Sequence, residues 1–352
     1  MNSFYQKIAL NIRYAFRPLK PLLTARLANA VFKSYILKQP PLRYVDFALD
    51  FACNLRCAHC FATSLRNDAR LKMTVEDYGR VAKQCMELGA VNFSFQGGEP
   101  LLLQELPTVV TACRPHANLI SVTTNGTLLS ADRAKELRRL GVDILTVSLD
   151  SSIADEHDRF RGVFGAFART TAGIDAALAA GLRVTIGSVV THQNLRGPGV
   201  AGLIDMAKRL KTIISLILPA PAGNWSENTS ILLTAEDLVY IDELVASSPY
   251  VRTDFQANFG PEGCGAAKEI LYLTPYGDVL PCPFMHISFG NALKEPLAVI
   301  RARMLANPWL ASYQDTCLVS TNPEFLERYM KQTVGRSDLP LPADEVFGKE
   351  AR

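Results

Sequence analysis

The alternation of strand-like and helix-like stretches over residues 44–218 constrains this chain more than any other feature. Residues 44–51, 91–95, 119–123, 144–149, 183–190 and 213–218 are short and apolar or alternating, the pattern of strands. Between them, helical patterns cover 75–88, 103–113, 131–140, 164–180 and 199–210; Thr74 with Asp77 opens the first in capping-box style, and Ser130 caps the third. Six strand–helix steps of this length predict parallel strands joined by right-handed crossovers. Periodicity does not separate a closed barrel from an open doubly wound sheet. In both, ligands sit at the C-terminal ends of the strands.

That rim is where the polar motifs collect. Gln96-Gly97-Gly98-Glu99-Pro100 follows the second strand, Thr124-Asn125-Gly126 the third, Ser148-Leu149-Asp150-Ser151 ends the fourth, and Thr191-His192-Gln193-Asn194 follows the fifth. Two glycines let a backbone approach a ligand closely, and Glu99 with nearby carbonyls can accept from an ammonium group. An ordinary turn before a helix is the alternative.

After the first strand comes Cys53-Asn54-Leu55-Arg56-Cys57-Ala58-His59-Cys60. Soft sulfur ligands select iron–sulfur clusters, zinc or copper(I). Structural zinc sites usually bring cysteines in separated pairs or add histidines. A CxxxCxxC run without a fourth local cysteine suits a cubane with three irons held by protein and one left open; three buried cysteines on a turn, or a small zinc site, are the alternatives. Cys85 and Cys113 lie singly on predicted helices and read as core residues.

Composition sets further bounds. With 352 residues, of which 48% are apolar, the chain suits one large α/β domain plus an appendage. A net charge of +3 is too small to imply a nucleic-acid partner. The clustering of the eight cysteines points to ligands in a reducing cytoplasm rather than to disulfides. No secretory signal core is apparent, and no run approaches the ~20 apolar residues that span a bilayer. Lys7, Arg13, Arg17, Lys20, Arg26, Lys33 and Lys38 nevertheless precede any acid, interleaved with apolar residues such as Ile8, Leu22, Val31 and Phe32. This segment, 1–42, is read as helical packing on the outside of the domain with solvated cations, broken into short pieces by its prolines; contact with an anionic membrane surface is the alternative.

The CxxxCxxC run resembles the defining motif of the radical SAM superfamily, with His59 where an aromatic residue usually precedes the last cysteine. The resemblance implies a partial (β/α)6 barrel over 43–218. Cys53, Cys57 and Cys60 would hold a [4Fe-4S] cluster whose open iron chelates S-adenosylmethionine, and His59 would lie beside the adenine. Gly97, Gly98 and Glu99 match the family's GGEP strip, which holds the methionyl amine. Thr124 and Ser148 match positions that contact cofactor or substrate, and Arg161 could pair with the cofactor carboxylate through its planar fork, a plain solvent-facing arginine being the alternative. An external one-electron donor such as flavodoxin or ferredoxin is implied.

Residues 219–259 read as a linker or active-site loop and a bridging helix over 234–246. In 260–334, Cys264 and Cys282 flank a hairpin, strands 270–274 and 279–280 around Pro275-Tyr276-Gly277-Asp278, with Cys317 a third candidate ligand. The arrangement resembles SPASM and twitch extensions and implies at most one auxiliary cluster, because no later run of cysteines exists. The tail, 335–352, is expected to have little fixed structure.

The expected activity is therefore reductive cleavage of S-adenosylmethionine to a 5′-deoxyadenosyl radical, which abstracts hydrogen from a substrate carbon in a biosynthetic reaction. Only about forty residues precede the first strand, too few for a leader-binding domain. The expected substrate is thus a small molecule, such as a sugar, aminocyclitol or natural-product intermediate. A peptide-modifying maturase is the alternative within the family, and a non-catalytic iron–sulfur or zinc protein the alternative outside it. No substrate acid or base is assigned.

Overall fold

A computed structural model describes Tyr14, Arg17 and residues 20–39, 41–258 and 263–348. The strands β1 (Tyr44–Asp50), β2 (Asn92–Gly97), β3 (Leu119–Thr124), β4 (Ile144–Ser148), β5 (Arg183–Val189) and β6 (Ile213–Ile217) lie side by side in chain order, each parallel to the next. Helices α1 (Pro21–Tyr35), α2 (Val75–Glu87), α3 (Leu106–Ala112), α4 (Ala131–Leu140), α5 (Ala154–Arg161), α6 (Ala166–Ala179) and α7 (Pro198–Leu210) precede or connect them. Thr74 and Asp77 form the reciprocal capping box that opens α2, and the Ser130 side chain caps α4. The partial-barrel expectation holds.

The sheet is wider than the sequence pattern indicates. Helix α8 (Ala235–Ser247) leads to β7 (Val251–Arg252), which adds beyond β6. At the other edge β8 (Ile270–Leu273) pairs parallel with β1, and β9 (Val279–Leu280) returns antiparallel. The hairpin expected to stand in a separate extension therefore continues the main sheet, giving the order β7-β6-β5-β4-β3-β2-β1-β8-β9. The Glu269 carbonyl accepts from the Arg43 and Tyr44 amides, and the Glu269 carboxylate pairs with Arg43 at 2.9 Å, which fixes the register of β8 on β1. Only the folded chain shows this junction, because no local pattern records which strand lies beside β8.

One face of the sheet is apolar and covered by helices. Phe47 lies between Phe93 at 5.9 Å and Phe95 at 6.2 Å, with the Tyr78 ring of α2 edge-on at 5.3 Å. Strand alternation puts Asp46, Ser94 and Ser121 in one row on the opposite face, with Thr146 beside Thr185. Asp46, Ser94, Ser121 and Thr185 are buried. The inner face of this sheet is thus lined by hydroxyl and carboxyl groups rather than by the branched aliphatic side chains that fill closed barrels.

Two expectations about the ends are corrected. Pro21 does not break the N-terminal segment but opens α1, in the first helical turn, where a missing N–H costs nothing; Pro18 and Pro40 lie outside the described residues. Its cations are not simply solvated: Arg17 and Lys20 both bind the buried Asp143 carboxylate, at 2.7 and 2.5 Å, and Arg26 bonds Asn118 and the Ala90 carbonyl. Leu23 and Ala30 face the domain, while Leu22, Val31, Phe32, Tyr35, Ile36 and Leu37 are exposed. Lys7 and Arg13 lie outside the described residues.

At the other end, 335–348 is ordered by pairing and packing. β10 (Ile287–Ser288) pairs parallel with β11 (Leu341–Pro342), and α12 (Ala343–Phe347) buries Phe347 with its ring 4.7 Å from Tyr329. Between them run α9 (Leu297–Ala306), α10 (Pro308–Ala311) and α11 (Pro323–Arg328). The polar, proline-containing tail sequence concealed a few well-spaced apolar residues that suffice to dock it. No helix among the described residues is long and apolar enough to cross a membrane.

Candidate metal and cofactor site

The loop after β1 carries the three cysteines onto the C-terminal rim. Cys53 is exposed, Cys57 buried and Cys60 half-buried. Burial pushes the Cys53 and Cys60 thiols up, and the Cys57 sulfur pushes both further, so the three sulfurs share one electrostatic environment. Each flank of the loop is tied down. The Leu55 amide and the Asn125 side chain donate to Cys53 Sγ, at 3.4 and 3.9 Å, and Arg161 donates to Cys57 Sγ at 3.7 Å. Such donors suit thiolates, which accept, and this supports metal-bound sulfurs at these positions. Among the described residues, no three His, Cys, Asp or Glu side chains converge on a point where one metal ion would sit.

The glycine strip lies against the start of this loop. The Gly98 amide donates to the Asp50 carbonyl at 2.7 Å and the Glu99 amide to the Ala52 carbonyl at 2.8 Å. A Cβ on Gly98 would stand 2.0 Å from the Ala52 oxygen, and Gly97 adopts φ +124°, so neither position accepts a side chain. The strip's backbone is thus held beside the cysteine loop.

Glu99 and Thr124 are placed differently from expectation. The Glu99 carboxylate is buried and accepts from Thr124 Oγ1 at 2.7 Å, the Leu101 amide at 3.0 Å and the Asn125 amide at 2.8 Å. It ties the end of β2 to the end of β3, with the Thr124 hydroxyl directed at it rather than at the mouth. Burial raises the Glu99 pKa, and the three donors act against that rise. Ser148 ends β4, half-buried, beside Gly187 of β5.

Arg161 is also corrected. It is not solvent-facing and does not present its fork outward: it is buried at the end of α5, with Nε 2.7 Å from Asp150 Oδ2 and the other nitrogen on Cys57. Burial opposes the charge on both partners, yet their attraction prevails, holding Asp150 below the usual carboxylate range and raising Arg161. The Arg161 and Phe160 carbonyls accept from the Arg56 and Ala58 amides, so the end of α5 cradles the cysteine loop.

His59 does not stand open. Its ring stacks on Phe160 at 4.4 Å with Trp225 at 5.6 Å, and its Nδ1 is buried without a hydrogen-bond partner among the described residues. Burial, then the Arg161 charge, depresses its pKa to about 3, leaving a neutral imidazole.

Sequence reasoning missed the groups that clamp this loop from the segment after β6. Asn224 donates to the Cys57 carbonyl at 2.9 Å, its amide donates to the Cys60 carbonyl at 3.0 Å, and Thr63 bonds its side-chain oxygen. Gly223, at φ +58°, permits the approach: a Cβ there would lie 2.1 Å from the Cys60 carbonyl. The only sequence signal was a Pro-, Gly- and Asn-rich stretch.

In the C-terminal part, neighbouring segments carry the three cysteines. Cys264 donates its amide to the Gln314 carbonyl at 2.7 Å, close in chain to Cys317, and the Ala267 amide bonds the Pro281 carbonyl beside Cys282. Cys85 and Cys113 are fully buried in the core, as expected.

A mostly parallel α/β sheet with three cysteines and a di-glycine strip on its C-terminal rim is the partial-barrel class that the fold defines. Comparison narrows the class. The radical SAM superfamily sequence model matches residues 51–197. The PqqA peptide cyclase of Streptomyces rochei is 32% identical over 276 residues, covering 72% of this chain and 73% of that protein. An AdoMet-dependent heme synthase of Methanosarcina barkeri is 25% identical over 289 residues, 73% of this chain and 81% of that one. The Streptococcus suis SuiB structure, bound to precursor peptide SuiA, superposes with a TM-score of 0.59 at 19% identity, covering 79% of this chain and 68% of that one. The chain belongs to the radical SAM superfamily, an enzyme family that uses a [4Fe-4S] cluster and S-adenosylmethionine.

Proposed function

We propose that this chain abstracts hydrogen from a carbon of a small, polar substrate, with Cys53, Cys57 and Cys60 as cluster ligands and the backbone of Gly97 and Gly98 beside the methionine of S-adenosylmethionine. When bound, the cluster and S-adenosylmethionine supply one-electron chemistry: reductive cleavage to methionine and a 5′-deoxyadenosyl radical that takes the hydrogen atom. The protein's part is orientation and exclusion of water. Glu99 holds the strip in register, Asn125, Arg161 and Asn224 hold the cysteine loop, and Phe160 with Trp225 screens the His59 side.

One observation carries the substrate class. The inner face of the sheet presents Ser94 Oγ, Thr185 Oγ1 and Tyr272 Oη, all buried and without a hydrogen-bond partner among the described residues. Buried polar groups are normally satisfied, so this face suits a hydrogen-bonding guest or ordered water. A hydroxyl-rich molecule, a sugar or aminocyclitol, fits it better than an apolar one. A cavity of about 210 Å³ lined by Ser64, Gly223, His286, Thr333 and Arg336 is polar as well.

The likeness to the PqqA peptide cyclase favours a second reading, in which the substrate is a peptide side chain. For the C-terminal part we propose that Cys264, Cys282 and Cys317 bind one auxiliary cluster, which would accept the second electron of a net oxidation. A reduced flavodoxin or ferredoxin is the donor this reading requires.

The test is anaerobic reconstitution followed by reduction. The intact chain should hold iron and sulfide and release 5′-deoxyadenosine from S-adenosylmethionine, and Cys57→Ala should not. Replacing Cys264 and Cys282 together should halve the iron; unchanged iron would remove the auxiliary cluster. Deuterium transfer to 5′-deoxyadenosine from labelled sugars and cyclitols, set against labelled peptides, separates the two substrate readings.

A further inference from the structure

Arg161 presents a buried cation to one cysteine of the loop, and its position calls for a role other than binding the cofactor carboxylate. Its side chain is 8% exposed, its Nε is engaged with Asp150, and a second guanidinium nitrogen lies 3.7 Å from Cys57 Sγ. Asp150 is fixed in turn, accepting from the Val189 amide at 3.1 Å, and His157 stands beside it with Nδ1 3.8 Å from Oδ2. The guanidinium is thus held on a buried platform made by the ends of β4 and β5. It is aimed at a ligand sulfur.

We propose that Arg161 is a positioning residue that sets the reduction potential of the cluster held by Cys53, Cys57 and Cys60, with Asp150 moderating its charge. The inference rests on the cluster reading above. Reduction adds one negative charge to the cluster, and an N–H donor with a positive charge at a ligand sulfur stabilises the more negative state, so it raises the potential. Burial keeps water from screening that charge. Besides Cys57, the other charged or titratable groups that feel Arg161 are Cys60, His59, His157 and Glu99. His157 lies 3.8 Å from Asp150, and burial depresses its pKa to about 4. Asp150, bonded directly to the guanidinium, is therefore its main counter-charge.

The experiment is a redox titration of the S-adenosylmethionine-free cluster, followed by electron paramagnetic resonance, in forms lacking Cys264 and Cys282 so that one cluster is read. Arg161→Gln should load the same iron and sulfide and titrate at a more negative potential, with Arg161→Lys falling between it and the parent. Asp150→Asn, which keeps the arginine and removes its counter-charge, should move the potential the other way, and it decides the matter if Arg161→Gln fails to assemble. An unchanged potential in a loaded Arg161→Gln or Asp150→Asn cluster overturns the proposal. Weakened S-adenosylmethionine binding with that unchanged potential would assign the arginine to the cofactor carboxylate. Absence of iron and sulfide from the parent protein would instead defeat the cluster reading itself.

Discussion

Asn224 donates its side-chain amide to the Cys57 carbonyl at 2.9 Å across 167 residues of chain. With its own backbone amide on the Cys60 carbonyl, it clips the segment after β6 to both of the later cysteines. The cysteine loop has little regular structure of its own, so its shape depends on this distant segment and on the end of α5. Asn224→Ala should remove about 1–2 kcal/mol of local stability. The expected outcome is faster loss of iron to a chelator with little change in overall unfolding; equal rates would show that the clip does not hold the loop.

Glu99 acts on stability. Glu99→Gln turns an N–H donor toward groups that now donate to the carboxylate, leaving one buried donor unsatisfied at a cost of about 1–3 kcal/mol. Urea denaturation should register that loss. An unchanged midpoint together with weaker S-adenosylmethionine binding would return Glu99 to direct contact with the amine.

Gly98→Ala places a methyl against the Ala52 carbonyl, a backbone atom that cannot rotate away. The strip and the cysteine loop must separate, at a cost toward the upper end of the roughly 1–3 kcal/mol typical of overpacking. Calorimetric titration should show weakened S-adenosylmethionine binding alongside reduced stability.

His286 is buried, with Nδ1 3.3 Å from Ser64 Oγ and Nε2 without a partner among the described residues, and burial depresses its pKa to about 4. Its folded pKa lies below the unfolded value of about 6.5, so between those values the unfolded chain binds a proton that the folded one does not. Its contribution is present above pH 6.5 and is lost as pH falls toward 4. His286→Gln should flatten the fall of stability with acid by up to about 1.4 kcal/mol per pH unit in that window. A parallel acid-denaturation curve would show the histidine protonated in the fold.

Phe347 anchors the C-terminal segment against Tyr329 and Phe289, at 4.7 and 5.8 Å. Phe347→Ala should cost about 3–5 kcal/mol, the range for a buried aromatic. A loss below 1 kcal/mol would mean that the segment packs without it.

Much of this protein can be read from local pattern. Alternating apolar runs specify β1 to β6, because strand period and crossover handedness are local properties of the chain. The spacing of Cys53, Cys57 and Cys60 and the Gly97-Gly98 pair mark the rim, because ligand type and backbone freedom belong to single residues. What Arg161, Glu99 and Thr124 do was decided only in three dimensions. Each faces a partner that packing supplies, Asp150 and Cys57 for the first and each other for the second and third. The place of β8 beside β1, the Asn224 clip and the docking of Phe347 likewise join segments far apart in the chain. Their energy comes from burial and from hydrogen bonds between distant residues, and a one-dimensional pattern carries no record of which distant residues will meet.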